Sequence, residues 1–312
     1  MTKVIVFGSI NMDLVTRTPR LPVPGETLQG DEFFTAAGGK GANQAVAVAR
    51  LGIGTEIVGR LGDDDFGRQL LDSLQAAGVC TDGVLVDKTA SSGVAVITVD
   101  ARGENHIIII AGANGRVNQQ DVERLISLLP GAAALLLQLE IPLSFVLLAA
   151  QAAKQAGIPV ILDPAPAALD IPPELYPLVD IITPNEIEAS QLVGFPVNGQ
   201  ETAHQASVEL RRRGVGTVIV KLGAQGVFCA NAEETFFIPA FSIQAVDTVA
   251  AGDAFNGGLA AALAEGRPLR EAVVWGAAAG AISATKAGAQ PSLPERDTFD
   301  AFLQERGIGE WH

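Results

Sequence analysis

The residues best placed to do chemistry stand together in Asp247-Thr248-Val249-Ala250-Ala251-Gly252-Asp253. Small residues at 250–252 lead into a strongly helical run, so a bare helix N-terminus faces whatever lies before it, with unpaired N–H groups and the positive end of its dipole. That is an anion site. Asp253 falls in the first helical turn, where the dipole is expected to lower its pKa and keep it ionised at neutral pH, ready to take a proton from an attacking hydroxyl. An acidic residue there also simply stabilises a helix, and the segment by itself leaves both readings open.

A second small-residue loop, Gly38-Gly39-Lys40-Gly41-Ala42-Asn43-Gln44-Ala45, opens another helix. Its glycines allow close backbone approach to a ligand, and Lys40 and Asn43 can donate to hydroxyls. Asn11 and Asp13 share one face of an extended chain and could grip neighbouring hydroxyls. A polyol would satisfy both segments, and a tight turn before a helix with an Asx turn at a strand end would explain them equally well. Asn185 and Glu188, in Thr183-Pro184-Asn185-Glu186-Ile187-Glu188, could organise a hydrated Mg²⁺ beside phosphates or merely start a helix. Lys221-Leu222-Gly223-Ala224-Gln225-Gly226 ends a strand in a glycine turn, able to host a nucleotide or to make a hairpin. Glu140, closing the apolar run Leu135–Leu139, is a carboxylate at a strand's carboxyl end, where ligands bind in parallel sheets.

What is missing narrows the chemistry further. The chain has no Gly-x-x-x-x-Gly-Lys-Ser/Thr loop, no Gly-x-Ser-x-Gly elbow and no His-Glu-x-x-His, and its histidines (His106, His204, His312) are scattered. Gly39-Lys40-Gly41 lacks the third glycine of a dinucleotide fingerprint. Lys and Arg number 21 against 35 Asp and Glu, a net charge of −14 that repels nucleic acid and anionic lipid. Cys80 and Cys229 lie far apart with no ligand-spaced partner, which suits a reducing compartment. The N-terminal apolar run Val4–Phe7 is too short for a secretory leader, and residues 132–153, though apolar, contain Gln138, Glu140 and Pro142 and predict a buried strand followed by a helix. The expectation is a soluble, cytoplasmic protein with no nucleic-acid or membrane partner.

With 48% hydrophobic and 18% charged residues over 312 positions, the chain can bury a sizeable core. Unbroken apolar runs at 4–7, 134–139, 159–162, 179–182 and 217–220 have the pattern of strands covered on both faces. Helical stretches separate them at 42–51, 66–77, 143–155, 203–213 and 253–264, several closed by a glycine such as Gly78, Gly157 or Gly214. A further alanine-rich helix at 271–287, apolar around most of its circumference, is expected to be buried with Trp275 in the core. The predicted fold is α/β, a doubly wound, mostly parallel sheet with helices on both faces. Residues 14–37, rich in Pro and Gly, and 93–111, which read as a hairpin about Ala101-Arg102-Gly103-Glu104, break the alternation. They predict a small extra sheet, either a lid over the strands' carboxyl ends or a plain edge extension.

Taken together these segments resemble the ribokinase family of sugar kinases. The resemblance spans nearly the whole chain through Gly8-Ser9-Ile10-Asn11-Met12-Asp13, Pro24-Gly25-Glu26-Thr27, the 38–45 loop, Gly112-Ala113-Asn114, Pro164-Ala165-Pro166, Thr183–Glu188, Asp247–Phe255 and Gly288-Ala289-Gln290-Pro291-Ser292. It implies one kinase domain over 1–312 whose β lid serves as a homodimer interface, with ATP, Mg²⁺ and an activating K⁺. By this resemblance Asn11, Met12, Asp13, Gly39, Lys40, Gly41, Asn43 and Glu140 hold the sugar, and Asp253 is the base. The amides of Ala250, Ala251, Gly252 and Asp253 stabilise the phosphoryl group in flight. Asn185, Lys221, Gly223, Gly226 and Gly252 meet the nucleotide, and Glu188 assists Mg²⁺. Asp247, Val249, Ser283, Lys286, Gly288 and Ser292 surround the monovalent cation, the middle four through carbonyls. The implied reaction is ATP-dependent phosphorylation of D-ribose at O5. Alternatives are 2-deoxyribose, another furanose or a nucleoside as acceptor, or a non-catalytic sugar- or nucleotide-binding regulator. Ala277 stands where some members carry a His against the adenine, which puts nucleotide preference in question.

Overall fold

Apolar side chains alternating between two helical layers make the central strands. In the first strand, β1 (Lys3–Phe7), Val4 and Val6 enter one core cluster while Ile5 and Phe7 enter the other. The computed structural model describes residues 2–167 and 171–308, so His312 lies outside the described residues.

The chain continues through β2 (Asn11–Thr18), β3 (Glu32–Gly38), α1 (Lys40–Arg50), β4 (Gly54–Gly62), α2 (Asp65–Ala76), β5 (Val79–Asp87), β6 (Gly93–Asp100) and β7 (Asn105–Ile110). Next come α3 (Gln119–Leu128), β8 (Ala132–Leu137), α4 (Leu143–Gln155), β9 (Val160–Leu162), β10 (Ile181–Ile182), α5 (Glu186–Val193), α6 (Gln200–Arg212) and β11 (Thr217–Lys221). It closes with β12 (Gly226–Ala230), β13 (Thr235–Pro239), α7 (Ala251–Ala264), α8 (Leu269–Ala284) and α9 (Arg296–Gln304).

Nine strands form the large sheet in the order β13-β12-β11-β10-β9-β8-β1-β4-β5, parallel except for the antiparallel β11-β12-β13 edge. Strand order reverses about β1, which has β8 on one side and β4 on the other, and this is where a doubly wound sheet opens a ligand crevice. Helices α1, α2, α7, α8 and α9 cover one face, and α3 to α6 the other. The doubly wound α/β expectation is met. Residues 132–153 form β8 and α4 as expected, and no helix among the described residues is long and apolar enough to cross a membrane. Trp275 is buried on α8, edge-on to Phe299 with ring centroids 4.9 Å apart.

The second sheet has four strands in the order β3-β2-β6-β7. Its outlines correct the predicted boundaries, because it begins at Asn11 rather than 14 and β3 runs to Gly38 rather than 37. The first sugar-binding candidates therefore belong to the small sheet itself. The 93–111 segment is the expected hairpin, turned where Asp100 N–H donates to the Glu104 carbonyl at 2.9 Å. Its outer strand β7 is exposed along its whole length.

Candidate active site

Five strands of the large sheet end beside the crevice, and each delivers a polar residue just past its last apolar one. Ser9 follows β1, Glu140 follows β8, Asp163 follows β9, Asn185 follows β10 and Lys221 ends β11. Facing them, α7 begins at Ala251, so Asp253 occupies its first turn.

Asp253 is buried and held on both oxygens. Its Oδ2 accepts from Asn43 Nδ2 at 2.9 Å and its Oδ1 from Gln44 Nε2 at 3.1 Å. Burial, not the dipole, dominates its proton affinity and lifts its pKa from 3.8 to about 6, with Lys40 opposing, Asp163 reinforcing and the Asn43 and Gln44 bonds opposing. The expected lowering is thus overturned, because withdrawing a carboxylate from water outweighs the favourable helix end. At about 6 the group is still mainly ionised at neutral pH and close to the value a general base needs.

Of the four amides expected to form an anion hole, that of Ala251 is already donated to the Thr248 carbonyl at 3.2 Å. Those of Ala250, Gly252 and Asp253 have no acceptor among the described residues, and no side chain caps this helix. Lys221 stands over the same opening, since a Cβ built on Gly252 would lie 3.3 Å from its Nζ. Its ammonium is paired with Asp163 Oδ1 at 3.1 Å.

Among the residues expected to hold the sugar, Asn11 and Asp13 project from one face of β2 and both are buried. Met12 points the other way, its side chain buried in the hydrophobic core. Asn114 clamps this segment, accepting from Ile10 N–H at 2.9 Å and donating to Asn11 Oδ1 at 2.7 Å. Asp13 lies against Gly38, where any Cβ would meet its carboxylate at 2.3 Å. Burial, then Glu140 and Asp253, raise its pKa from 3.8 to about 7. Gly39 has a φ of 88°, and a Cβ there would meet Asn11 N at 2.6 Å, so only glycine brings the loop this close to β2. A Cβ on Gly41 would meet the backbone of Gly8 and Ser9 at 2.7 Å, so glycine there lets α1 pack against the end of β1. Glu140 lies three residues beyond the end of β8 rather than closing it, and accepts from Ser9 Oγ and, at 3.2 Å, from Lys40 N–H. Burial alone would lower the Lys40 pKa, but Asp253, Asp163, Glu140 and Glu188 hold it above its ordinary value. Asn43 Oδ1 is buried with no partner among the described residues, an acceptor that a ligand hydroxyl would satisfy.

On the opposite side, Asn185 and Glu188 form a capping box, each accepting the other's N–H at 2.8 Å. The helix-start reading therefore holds for both. Glu188 is nonetheless buried, and burial followed by Asp163 raises its pKa despite Lys221 nearby. Asn185 pairs with Lys221 in an isolated β-bridge, which joins the two expected nucleotide segments. The Lys221–Gly226 turn is a β11-β12 hairpin, and Gly226 serves its register, because a Cβ there would strike the Ile238 carbonyl at 2.2 Å. Gly223, at a φ of 51°, starts the turn with only Glu186 near its Cβ position. The expected cation residues also converge. Asp247 accepts from Val249 N–H at 3.1 Å and Gly288 N–H at 2.9 Å, and Ser283 and Ser292 share a 2.7 Å hydroxyl bond. The Ser283 carbonyl accepts from Lys286 N–H at 3.1 Å. Ala277 lies on α8, half-buried against the core.

Sequence reasoning gave no role to Ser9, Gln44 and Asn114, although they stand inside the motifs it quoted, nor to Asp163 and Gln138. Asp163 carried a usable signal, since it follows β9 as Glu140 follows β8. Gln44 had only its place beside Asn43.

The sequence model of the pfkB family of carbohydrate kinases matches residues 1–296. The chain belongs to that family. Among its relatives in the family, the ribokinase of Haemophilus influenzae is 43% identical over 299 residues, covering 96% of this chain and 97% of its own. The solved ribokinase of Thermotoga maritima superposes with a TM-score of 0.89 at 39% identity, over 97% of this chain and 100% of that one. That of Arabidopsis thaliana, solved with ribose and ATP, has a TM-score of 0.89 at 37% identity, over 97% and 99%.

Proposed function

We propose that this kinase transfers the γ-phosphoryl group of ATP to the terminal O5 hydroxyl of D-ribose, giving ribose 5-phosphate and ADP. The observation that carries this reading is Asp253, a buried carboxylate in the first turn of a helix whose open amides face the crevice. The full-length likeness to ribokinases supports ribose as acceptor. Asp253 takes the proton from the hydroxyl, the freed oxygen bonds to the γ-phosphorus, and the bond from that phosphorus to the bridging oxygen breaks. The amides of Ala250, Gly252 and Asp253, with Lys221, oppose the charge on the group in flight, so positioning and electrostatics supply most of the catalysis. Asn11, Asp13, Lys40, Asn43 and Glu140 would hold the sugar hydroxyls, and Asn185 with the Gly223 turn the nucleotide.

Mg²⁺ on the phosphates would neutralise their charge. The residues present fit it, because Glu188 Oε1 has no hydrogen bond among the described residues and Mg²⁺ needs few protein ligands. K⁺ would suit the Asp247 carboxylate and the carbonyls of Val249, Ser283, Lys286 and Gly288, with the Ser292 hydroxyl beside them. The same proposal includes one catalytic unit with the small sheet as its lid, a dimer formed through that lid, and an ATP-supplied cytoplasmic setting.

ADP release with ATP, Mg²⁺ and K⁺ is the test, with ribose, 2-deoxyribose, fructose and adenosine in parallel. Ribose-dependent turnover far above the others is expected. A faster rate with another acceptor would move the substrate while leaving the chemistry, and silence with all of them would overturn the kinase reading in favour of a binding protein.

A further inference from the structure

Between the proposed base and the Lys221 ammonium lies one side chain to which the mechanism above gives no part. Gln44, on α1, is buried. Its single nitrogen donates one hydrogen to Asp253 Oδ1 at 3.1 Å and the other to Asp163 Oδ2 at 3.0 Å. Its oxygen accepts from Gln138 Nε2 at 2.6 Å. These three bonds leave the amide one orientation, because a flip would turn its oxygen toward two carboxylates and its nitrogen toward another donor. Gln138 is in turn fixed at the end of β8, packed so closely on Gly8 that a Cβ there would lie 2.0 Å from its Oε1.

The far carboxylate continues the chain. Asp163 turns its second oxygen to Lys221 Nζ, and that ammonium stands beside Gly252 at the open end of α7. Four elements far apart in sequence, α1, α7, the end of β9 and the end of β11, are thus joined through this amide and the Asp163 carboxylate. The shared NH₂ sets one donor between two buried carboxylates, whose other oxygens accept from Asn43 and from Lys221.

We infer that Gln44 is a positioning residue for phosphoryl transfer: its amide locks the Asp253 carboxylate and the Asp163–Lys221 ion pair into one register, so that base and ammonium meet the same reacting group. This rests on the kinase reading above. Gln44 need not touch either substrate. Its influence runs through the angle and proton affinity of Asp253 on one side and the placement of Lys221 on the other.

Gln44→Met keeps the length of the side chain and removes all three hydrogen bonds, while Gln44→Glu puts a third carboxylate between the two. A hydrogen bond to a charged group carries about one pKa unit. The acid limb of kcat/KM is therefore expected to move up by about one pH unit in Gln44→Met and further in Gln44→Glu. At neutral pH kcat should fall at least tenfold while KM for the sugar changes less than threefold, as befits an interaction felt at the transition state. A merely structural role would lower the amount of folded enzyme and leave the limb where it was. Should Gln44→Met not fold, Gln138→Leu reads the same inference from the amide's other end, with a severalfold loss of kcat and an upward limb shift expected. The wild-type enzyme separates the two levels of failure. No phosphoryl transfer by it removes the kinase reading, whereas an active wild type with an unshifted limb in the variants overturns the role of Gln44 alone.

Discussion

At the scale of single residues, desolvation decides what the carboxylates do. Asp253 is raised to about 6 by burial first, and a base must be ionised to work, so kcat/KM should fall about tenfold per unit as pH drops below that value. Asp253→Asn should lower kcat by about 10²–10⁴-fold with the protein still folded. Steady-state rates across pH 5 to 9 check both, and retention of near wild-type turnover in the variant would remove the assigned base. Asp13 is expected to act on stability as well. Its folded pKa of about 7 lies above the unfolded 3.8, so the folded state holds the proton more tightly, and the group's contribution to stability falls as pH rises from about 4 to about 7. Above that range the buried charge persists as a penalty. Asp13→Asn should accordingly raise the melting temperature of the sugar-free protein at pH 8 by a few degrees while weakening sugar binding at least tenfold. A lower melting temperature at that pH would count against the buried-charge account.

At the scale of elements, the glycines of α7 separate positioning from packing. Gly257 lies against α1, where a Cβ would stand 2.3 Å from that of Ala47, and the two helices would have to part. Asp253 and Asn43 are on those same two helices. Gly257→Ala should therefore cost about 1–3 kcal/mol of stability and lower turnover as well. Gly252→Ala meets only the end of the Lys221 side chain at 3.3 Å, so stability should survive while kcat falls. Thermal unfolding set beside turnover for the two variants distinguishes them, and equal losses of stability would contradict the geometry. The same scale shows why β4 and β5 escaped the sequence reading. Their runs are broken by Gly54, Gly59, Gly83 and Arg60, which local patterning counts against a buried strand. Packing explains them, since a Cβ on Gly59 would lie 2.8 Å from the Gly8 carbonyl, so glycine is needed where β4 passes it, and Arg60 is neutralised by Asp121 and Asp87.

At the scale of the whole molecule, the small sheet ends in an open edge. Ile107, Ile108, Ile109 and Ile110 of β7 are all exposed, Ile108 at 65%, and an apolar edge strand invites pairing. The proposed dimer would cover it. Sedimentation of the wild type should then report a pair of chains, and Ile108→Lys should return single chains; a wild-type monomer would remove the proposal. Because Asn11 and Asp13 lie on β2 of this same sheet, covering β7 would also steady the sugar side of the crevice.

The alternation of apolar runs and helices, the bare start of α7 and the carboxylate beyond β8 were all legible in sequence, because they depend on neighbours within a few residues. Mutually consistent motifs also pointed to the family. Only the tertiary structure decided that Asp253 is raised in pKa rather than lowered, that Met12 is core, that the Ala251 amide is engaged and that Gln44 joins Asp253 to Asp163. Desolvation and the sharing of a hydrogen-bond donor depend on which distant segments close around a group. Asp253 lies 209 residues from Gln44 along the chain and 3.1 Å from it in space.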